Sequence, residues 1–284
     1  MLEIQNVSFH YSGGKDVLSN ISIKLERGGI CGLLGLNGSG KSTMLYLIAG
    51  LLKPISGQIL LDGVNITPRT PETLSKIFIV PEEYDLPNTS LKRYINVLRP
   101  LYPRFSDEIL HRCLECFDMA SIDSLSGLSM GQKKKVYICI ALATNTELLL
   151  LDEPSNGLDI PSKSQFRRVL AAGMTEDKTV IISTHQVHDV ELLLDHVTMI
   201  DCNNVLINES MAALSDILRF GEASVAPQHA IYAEQSLHGV RFIAPRDTDF
   251  EETAVDLELL FNAAIANRQA LNTILNSNKN VNAL

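Results

Sequence analysis

Eight residues from Gly35 to Ser42 have the types and the spacing that a phosphate-binding loop requires. Their sequence, GLNGSGKS, matches the pattern G-x-x-x-x-G-K-[ST] at every fixed position. The glycines let the backbone curl so that consecutive N–H groups point at phosphate oxygens, which side chains would obstruct. Lys41 would place its ammonium against the β- and γ-phosphates, and Ser42 would offer its hydroxyl to Mg²⁺. The residues predicted to contact the nucleotide are Gly35, Leu36, Asn37, Gly38, Ser39, Gly40, Lys41, Ser42 and Thr43.

A second group of residues that could carry chemistry is Asp152 and Glu153, which directly follow the apolar run Leu148–Leu151. An apolar strand here would deliver Asp152 to the edge where open α/β sheets bind their ligands. Asp152 suits a direct or water-mediated role at Mg²⁺, and Glu153 suits the general base that polarises an attacking water. Any buried strand that ends in an acidic turn has this pattern, so the argument depends on its pairing with the loop at 35–42.

Short apolar runs alternate with helical periodicity up to about Asn208, which indicates an α/β core with a largely parallel sheet. The predicted strands are Ile30–Leu34, Ile77–Val80, Leu148–Leu151 and Val180–Ile182. The predicted helices lie near Ser42–Leu51, Pro161–Met174 and Val187–Leu194. Leu2–Phe9 and Ile21–Leu25 alternate between apolar and polar residues, which predicts an antiparallel subdomain at the start of the chain.

The stretch from about Glu83 to Ser126 carries no strand signal. It predicts a helical insertion of two helices, Ser90–Leu101 and Ser106–Phe117, separated by the breakers Pro100 and Pro103. Cys113 and Cys116 form a C-x-x-C motif within the second helix. Because no second ligand pair lies at zinc-site spacing, we expect two thiols on a helix rather than a metal site.

The pattern changes after Asn208, so we predict one domain over residues 1–208 and an accessory α+β extension over 209–284. The extension is expected to contain a short helix near Met211–Phe220 and two β-like runs, Ala230–Glu234 and Val240–Ile243. A long helix is expected to begin at Thr248–Glu251, a capping-box spacing. Its predicted apolar stripe comprises Leu257, Leu260, Phe261, Ala264 and Ile265.

Composition narrows the possible partners and locations. The net charge is −9, which argues against nucleic acid because phosphate binding needs a basic surface. No apolar run approaches the roughly 18–20 residues that cross a bilayer, and the N-terminus lacks the basic flank and apolar stretch of a signal peptide. Five scattered cysteines indicate no disulfide framework. We therefore expect a cytoplasmic protein, unless a partner holds it at a membrane.

The residues between the phosphate loop and the acidic pair Asp152–Glu153, together with motifs that flank them, distinguish this chain from other phosphate-loop proteins. Leu128–Gln132 reads LSMGQ and resembles the LSGGQ signature of the ATP-binding cassette (ABC) family, with Met130 where glycine is usual. Pro154–Asp159 is similar to the D-loop of that family, and His185 in ISTH looks like its switch histidine. Tyr11 falls where the family carries an aromatic residue that stacks on adenine. The resemblance covers about residues 1–208, with the motifs in the family's order.

The resemblance implies an α/β fold with a P-loop NTPase core of the ABC ATPase type, an N-terminal antiparallel β subdomain, an inserted helical subdomain and a small α+β C-terminal extension. It further implies that ATP and Mg²⁺ bind at the phosphate loop. Ser129, Gly131 and Gln132 of the signature would face the γ-phosphate of ATP on another subunit, either a second copy or a paired cassette. Asp159 would belong to the same nucleotide interface, and His185 would donate to the γ-phosphate.

One departure from the family pattern concerns the metal. Glu82, in IVPEEY, stands where the family usually has the glutamine of its Q-loop. A carboxylate can ligate Mg²⁺ more strongly, but it adds negative charge beside Asp152 and Glu153. One pair of unit charges about 4 Å apart is worth ~4 kcal/mol at an effective dielectric near 20, so the replacement is not neutral. We therefore predict a catalytic and metal-binding role for Glu82.

These inferences predict an ATP-hydrolysing subunit of an ABC transporter, attached to a polytopic membrane permease at the cytoplasmic face. The short insertion and the SNGLD loop favour export over import. One alternative is a non-transport cassette ATPase that acts on ribosomes or DNA, although such proteins usually carry two cassettes or long coiled coils. Another is a regulatory protein that binds ATP without hydrolysis, against which the set of Lys41, Asp152, Glu153 and His185 argues.

Overall fold

The N-terminal subdomain is an antiparallel sheet, as the alternation predicts. The computed structural model describes residues 1–201, 204–246 and 252–281. Four strands pair in the order β2-β1-β4-β5, each antiparallel to its neighbour. They are β1 (Leu2–Phe9), β2 (Leu18–Leu25), β4 (Ser56–Leu61) and β5 (Val64–Asn65). Buried and exposed positions alternate along β1 and β2, so one face of this sheet packs on the core.

The central sheet has six strands in the order β10-β9-β3-β8-β7-β6, parallel except for β10. The strands are β3 (Gly29–Leu34), β6 (Ile77–Val80), β7 (Leu148–Asp152), β8 (Thr179–Thr184), β9 (His196–Asp201) and β10 (Asn204–Ser210). All four predicted apolar runs are strands of this sheet. Every residue of β7 and β8 is buried, because the sheet is covered on both faces.

Helices connect and cover these strands. They include α1 (Lys41–Ile48), α2 (Pro71–Leu74), α5 (Met130–Ala143) and α6 (Ile160–Gly173). The predicted helix at Val187–Leu194 is wrong, since two 3₁₀ turns, Val187–Asp189 and Glu191–Leu193, occupy this segment. Between them Val190 has a φ of −128° and a fully buried side chain, which breaks the helical path and anchors the connection in the core.

The insertion contains the two predicted helices, α3 (Leu91–Leu98) and α4 (Asp107–Cys116). Ser90 and Ser106 cap them, each accepting a hydrogen bond from a backbone N–H three residues later. Cys113 and Cys116 both lie on α4, the first buried and the second half-buried. Burial raises the pKa of the Cys113 thiol to about 11, so this thiol stays protonated near neutral pH.

In its described part, the C-terminal segment contains one strand more than the sequence predicts. Helix α7 covers Met211–Ile217, and a three-stranded antiparallel sheet, β11-β13-β12, is formed by Leu218–Ala223, Gly239–Pro245 and Tyr232–Ser236. The predicted helix end at Phe220 is wrong because the backbone becomes extended at Leu218. The predicted domain boundary at Asn208 lies inside β10, and the division into two domains stays a prediction.

The last helical region is broken in two. The predicted start at Thr248–Glu251 lies outside the described residues. Helix α8 covers Leu257–Ala266 and begins at the capping side chain of Asp256, whereas α9 covers Arg268–Val281. The predicted stripe is partly wrong: Leu257, Leu260 and Ala264 are buried, but Phe261 is half-buried and Ile265 is exposed. Leu259 and Ala263 are buried instead, because the face of α8 that packs inward is rotated from the predicted one. Within the described ranges, no helix is long and apolar enough to cross a bilayer.

A buried lysine joins the ends of two helices on the central sheet. Lys178 is 1% exposed, and its Nζ donates to the carbonyl oxygens of Leu142 (2.9 Å) and Gly173 (2.6 Å). These carbonyls lie in the last turns of α5 and α6, where the regular i+4 partners are missing, and the Leu142 carbonyl also accepts from the Asn145 N–H over 3.2 Å. Burial lowers the pKa of Lys178 to about 8. The lysine therefore satisfies two helix ends at the cost of a desolvated charge.

We expect the free energy of unfolding to depend on pH because of the buried Lys178 ammonium. The pKa of Lys178 is about 8 in the fold against an ordinary lysine value of 10.5, so the unfolded chain binds the extra proton between these pH values. As the pH rises from 7.5 to 10.5, the free energy of unfolding of the parental chain should therefore increase by up to about 3 kcal/mol relative to that of Lys178→Met. Urea unfolding of both chains across this range measures the difference, with Lys53→Met as an exposed control. A pH-independent difference would contradict the assignment.

Candidate functional site

The phosphate loop connects β3 to α1 at the C-terminal edge of the central sheet. Gly38 and Gly40 have φ values of +81° and +96°, a left-handed conformation that favours glycine. A Cβ on Gly40 would come within 2.9 Å of Leu18 Cδ2, so the turn also packs too closely for a side chain. Among the residues that the structure describes, no side chain caps the N-terminus of α1. Its first N–H groups are therefore available to an anion, which the helix dipole also favours.

Lys41 crosses this loop from the first residue of α1. Its Nζ donates to the carbonyl oxygens of Gly35 (2.9 Å) and Leu36 (3.2 Å) and lies 3.9 Å from Glu153 Oε1. Burial lowers the pKa of Lys41, although the carboxylates of Glu153 and Asp152 act in the opposite direction. The ammonium thus lies between the curled loop and the acidic pair.

Asp152 ends β7, and two hydroxyl groups hold its carboxylate. Ser42 Oγ donates to Asp152 Oδ1 over 3.1 Å, and Ser183 Oγ on β8 donates to the same oxygen. Asp152 Oδ2 is buried and has no hydrogen-bond partner among the described residues, and the same holds for Glu153 Oε2 and Ser39 Oγ. Buried oxygens without partners are costly unless a ligand completes them. An Mg²⁺ ion with phosphate oxygens fits this donor set, because Mg²⁺ takes hard oxygen ligands from one or two carboxylates and a nucleotide.

Glu153 has a backbone conformation that is unusual for a residue other than glycine. Its φ is +43°, and such strain persists only where the surroundings fix it. Its N–H donates to the backbone oxygen (3.0 Å) and the hydroxyl oxygen (3.2 Å) of Ser183, and its own carbonyl accepts from Lys134 Nζ (3.0 Å). In the side chain, Oε1 lies 2.8 Å from His185 Nδ1. The Glu153 carboxylate is therefore directed towards His185.

These side chains surround one cleft of about 520 Å³. The residues that line it are Tyr11, Val17, Asn37, Gly38, Gly40, Lys41, Ser42, Thr43, Glu82, Glu153 and His185. All of them except Val17 are predicted site residues. Tyr11 is 48% exposed at the cleft, where its hydroxyl lies 3.2 Å from Thr43 Oγ1. An edge-to-face contact with Phe9, centroid to centroid 5.0 Å, orients the ring.

The signature lies elsewhere on the surface. Ser129 caps α5 and forms a capping box with Gln132, in which each side chain accepts from the other residue's N–H. Of the described residues that line the cleft, none belongs to Leu128–Gln132. Met130 and Gly131 instead line a groove of about 260 Å³ beside the turn at Asn156. The structure therefore does not bring the predicted signature contacts to the phosphate loop of the same chain.

Asp159 also lies outside the cleft. It caps α6, and its Oδ1 accepts a hydrogen bond from the Ser162 N–H over 2.9 Å. Hydrogen bonding to Ser162, first from its hydroxyl and then from its N–H, lowers the pKa of the Asp159 carboxyl. The local structure thus explains Asp159 as a helix cap, and its predicted contact with a nucleotide stays a prediction.

Two residues that the sequence reasoning missed connect the parts of the site. Asn156 donates from Nδ2 to Glu82 Oε1 (3.0 Å) and accepts at Oδ1 from Gln186 Nε2 (3.1 Å). Lys134 donates to the carbonyl oxygens of Glu153 and Asn156. No sequence signal separates Lys134 from its neighbours, because each lysine of the run Lys133–Lys135 has an apolar or aromatic residue four positions on.

Comparison with known proteins agrees with this geometry. The family model described as "ABC transporter" matches residues 18–156. The chain is 31% identical over 209 residues to the ABC transporter ATP-binding protein YtrB of Bacillus subtilis (strain 168), across 72% of this chain and 70% of that protein. It is 33% identical to the methionine import ATP-binding protein MetN of Carboxydothermus hydrogenoformans (72% and 65%). It is 30% identical to the Nod factor export ATP-binding protein I of Cupriavidus metallidurans (71% and 68%).

A solved structure matches the fold. It is cbiO1 from Clostridium perfringens, described as part of the ABC transporter complex cbiONQ, with a TM-score of 0.62 and 28% identity over 74% of this chain and 88% of that one. The fold and the phosphate loop define an ATP-binding protein of the P-loop class. More narrowly, the chain belongs to the ABC transporter family as an ATP-binding subunit. The expected fold class is confirmed.

We expect Ser183→Ala to weaken Mg²⁺ binding with ATP, because the Ser183 hydroxyl orients the Asp152 carboxylate. Loss of such a supporting hydrogen bond typically costs about 10-fold or more in metal affinity. Titration of ATP binding with Mg²⁺ measures the shift in half-saturating concentration. Ser155→Ala is the matched control, since this nearby serine is fully buried but its hydroxyl has no hydrogen-bond partner within the described residues. Equal Mg²⁺ dependence in the two variants would contradict the assigned role.

Proposed function

We propose that this chain hydrolyses ATP to ADP and phosphate, and that two such cassettes close head to tail around two ATP molecules. The observation that carries the proposal is the position of the Glu153 carboxylate. It lies at the cleft, 3.9 Å from Lys41 Nζ and 2.8 Å from His185 Nδ1. A base, a cation for the phosphates and a histidine that can contact the γ-phosphate thus converge at one place.

The loop and Tyr11 would bind the two ends of ATP. The N–H groups of the glycine loop and the N-terminus of α1 donate to the phosphates, and Lys41 exchanges its two carbonyl partners for phosphate oxygens. The adenine would stack on the exposed ring of Tyr11, an interaction worth roughly 1–3 kcal/mol for base–aromatic pairs.

Ser42 and Asp152 would hold Mg²⁺ together with phosphate oxygens, with Glu82 next to them. When bound, Mg²⁺ neutralises the charge that develops on the β- and γ-phosphate oxygens. Glu82 lies at the cleft and accepts a hydrogen bond from Asn156, which supports a role for its carboxylate next to the metal from outside the phosphate loop.

Glu153 would act as the general base. It takes a proton from the water as the new bond from oxygen to the γ-phosphorus forms, while the bond to the bridging oxygen breaks and ADP leaves. The contact with His185 fixes the direction of the carboxylate, and His185 would also respond to the presence of the γ-phosphate. Such positioning supplies most of the catalysis in phosphoryl transfer, which needs little covalent chemistry from the protein.

A second chain would complete the site. In the first turn of α5 the N–H groups of Met130 and Gly131 have no intrahelical partners, whereas the Gln132 N–H donates to the Ser129 hydroxyl, whose own proton stays available. These donors form an anion site at a helix N-terminus that is absent from this chain's own cleft. Facing the γ-phosphate on a second chain satisfies them and explains why the signature lies apart.

The same proposal includes transport. The chain would power a polytopic permease from the cytoplasmic face of the membrane, with residues 209–284 as an accessory domain and no role for nucleic acid. The relatives include an import protein and an export protein. We favour export because of the short insertion and the SNGLD loop.

Glu153→Gln tests the proposal. The variant should bind Mg·ATP but hydrolyse it at least ~10²-fold more slowly, since a general base contributes about 10²–10⁴-fold. Uncleaved ATP should hold two chains together, so ATP should shift the variant to a dimer on a sizing column. Adding Ser129→Arg should abolish the shift, because the larger side chain blocks the signature contact. A variant that hydrolyses ATP at the parental rate would overturn the assignment of Glu153.

Glu82→Gln and Glu82→Ala test the unusual carboxylate. Glutamine can still accept the hydrogen bond from Asn156, so Glu82→Gln should keep hydrolysis within about tenfold while changing the Mg²⁺ concentration for half-maximal rate. Glu82→Ala loses that bond as well and should be slower. If the parental chain and both variants have the same Mg²⁺ dependence and rate, Glu82 has no part in the site.

A further inference from the structure

The middle residue of the basic run Lys133–Lys135 is buried, unlike a lysine on a solvated helix face. Lys133 pairs with the exposed Asp85 over 2.8 Å, and Lys135 donates to Gln165 over 3.1 Å. Lys134 is only 8% exposed. Lysine is seldom buried unless its amine has partners, because removing the charge from water costs free energy. The partners of Lys134 therefore indicate why it lies there.

Those partners are two carbonyl oxygens of a single turn. Lys134 Nζ donates to Glu153 O over 3.0 Å and to Asn156 O over 2.8 Å. The same turn is closed by the Asn156 N–H, which donates to Glu153 O over 3.2 Å. Burial lowers the pKa of Lys134, while the carboxylates of Glu82 and Glu153 act in the opposite direction. One amine thus holds both ends of the turn that carries Glu153.

This turn needs such support because Glu153 has a positive φ of +43°. A residue with a Cβ in this region costs of order 1–3 kcal/mol, which the surroundings must offset. Ser183 on β8 binds the N–H of Glu153, and Lys134 binds its carbonyl. The peptide groups on the two sides of the Glu153 Cα are therefore fixed by different elements, one from the sheet and one from α5.

We propose that Lys134 is a positioning residue that sets the direction of the Glu153 carboxylate from the signature helix. The proposal rests on the proposed function, in which Glu153 is the general base and the signature binds ATP on a second chain. Lys134 lies five residues, or about one and a half helical turns, after Ser129, the residue that caps the same helix. Displacement of the signature by the second chain's ATP moves the Lys134 amine and, through two carbonyls, the base of this chain. The lysine thereby links the two ATP sites of the dimer.

Lys134→Met is the sharpest variant, since methionine has nearly the length of lysine and no donor. We expect kcat to fall about 10- to 100-fold, the scale of a small misplacement of a catalytic group. ATP affinity should change by less than about twofold, because Lys134 does not line the nucleotide cleft. Lys135→Met is the matched control on the same helix and should keep the parental kcat. Each kcat is measured at saturating ATP and divided by the amount of ATP that the protein binds.

A double-variant cycle distinguishes positioning of Glu153 from a general structural role. In the Glu153→Gln background, single-turnover hydrolysis should fall less than about twofold when Lys134→Met is added, because the lysine acts through Glu153. The proposal is overturned by a parental kcat in Lys134→Met, by equal losses in both backgrounds, or by loss of ATP binding in parallel with hydrolysis. The proposed function fails separately, if Glu153→Gln alone hydrolyses ATP at the parental rate.

Discussion

The site depends on one strained residue, Glu153, which is held in a left-handed conformation directly after a buried strand. The strained turn directly follows β7, and its carboxylate lines the cleft. The strain persists because Ser183 and Lys134 bind the peptide groups on either side. Without these bonds the turn would have other conformations available, and the carboxylate would lose its fixed distance from Lys41 and His185.

The parallel sheet explains why these groups meet. Leu34, the last residue of β3, pairs in register with Thr184, and Asp152 pairs with Ser183. The phosphate loop, the acidic pair and His185 therefore follow three adjacent strands at one edge of the sheet, where open α/β sheets bind their ligands. The signature helix comes from a different part of the chain and contributes to the same turn from outside, through Lys134.

Much of the fold was predictable because its signals are local. Four apolar runs became strands of the central sheet, and the spacing of the glycines, Lys41 and Ser42 identified the loop. The failures have tertiary causes. The segment at 187–194 has helical periodicity, but burial of Val190 divides it into two short turns. The extended backbone that begins at Leu218 pairs with β13, a partner distant in sequence.

The residues that line the candidate site could be predicted from the sequence, but the hydrogen bonds that connect its parts could not. Ten of the eleven residues that line the cleft follow from motifs, because each motif has a fixed chemical requirement. The roles of Lys134 and Asn156 depend on how α5 packs against a turn that no sequence pattern links to it. A row of three lysines looks uniform in sequence, and only the packing of the helix distinguishes the middle one.

A crystal structure with Mg·ADP and beryllium fluoride, a mimic of the γ-phosphate, would test the central claim most directly. Glu153 should keep a positive φ with its carbonyl on Lys134, and its carboxylate should lie about 3 Å from a water in line with the mimic. Ser129 of a second chain should contact the fluoride. A Glu153 carboxylate turned away from the cleft, with its carbonyl released from Lys134, would contradict the account.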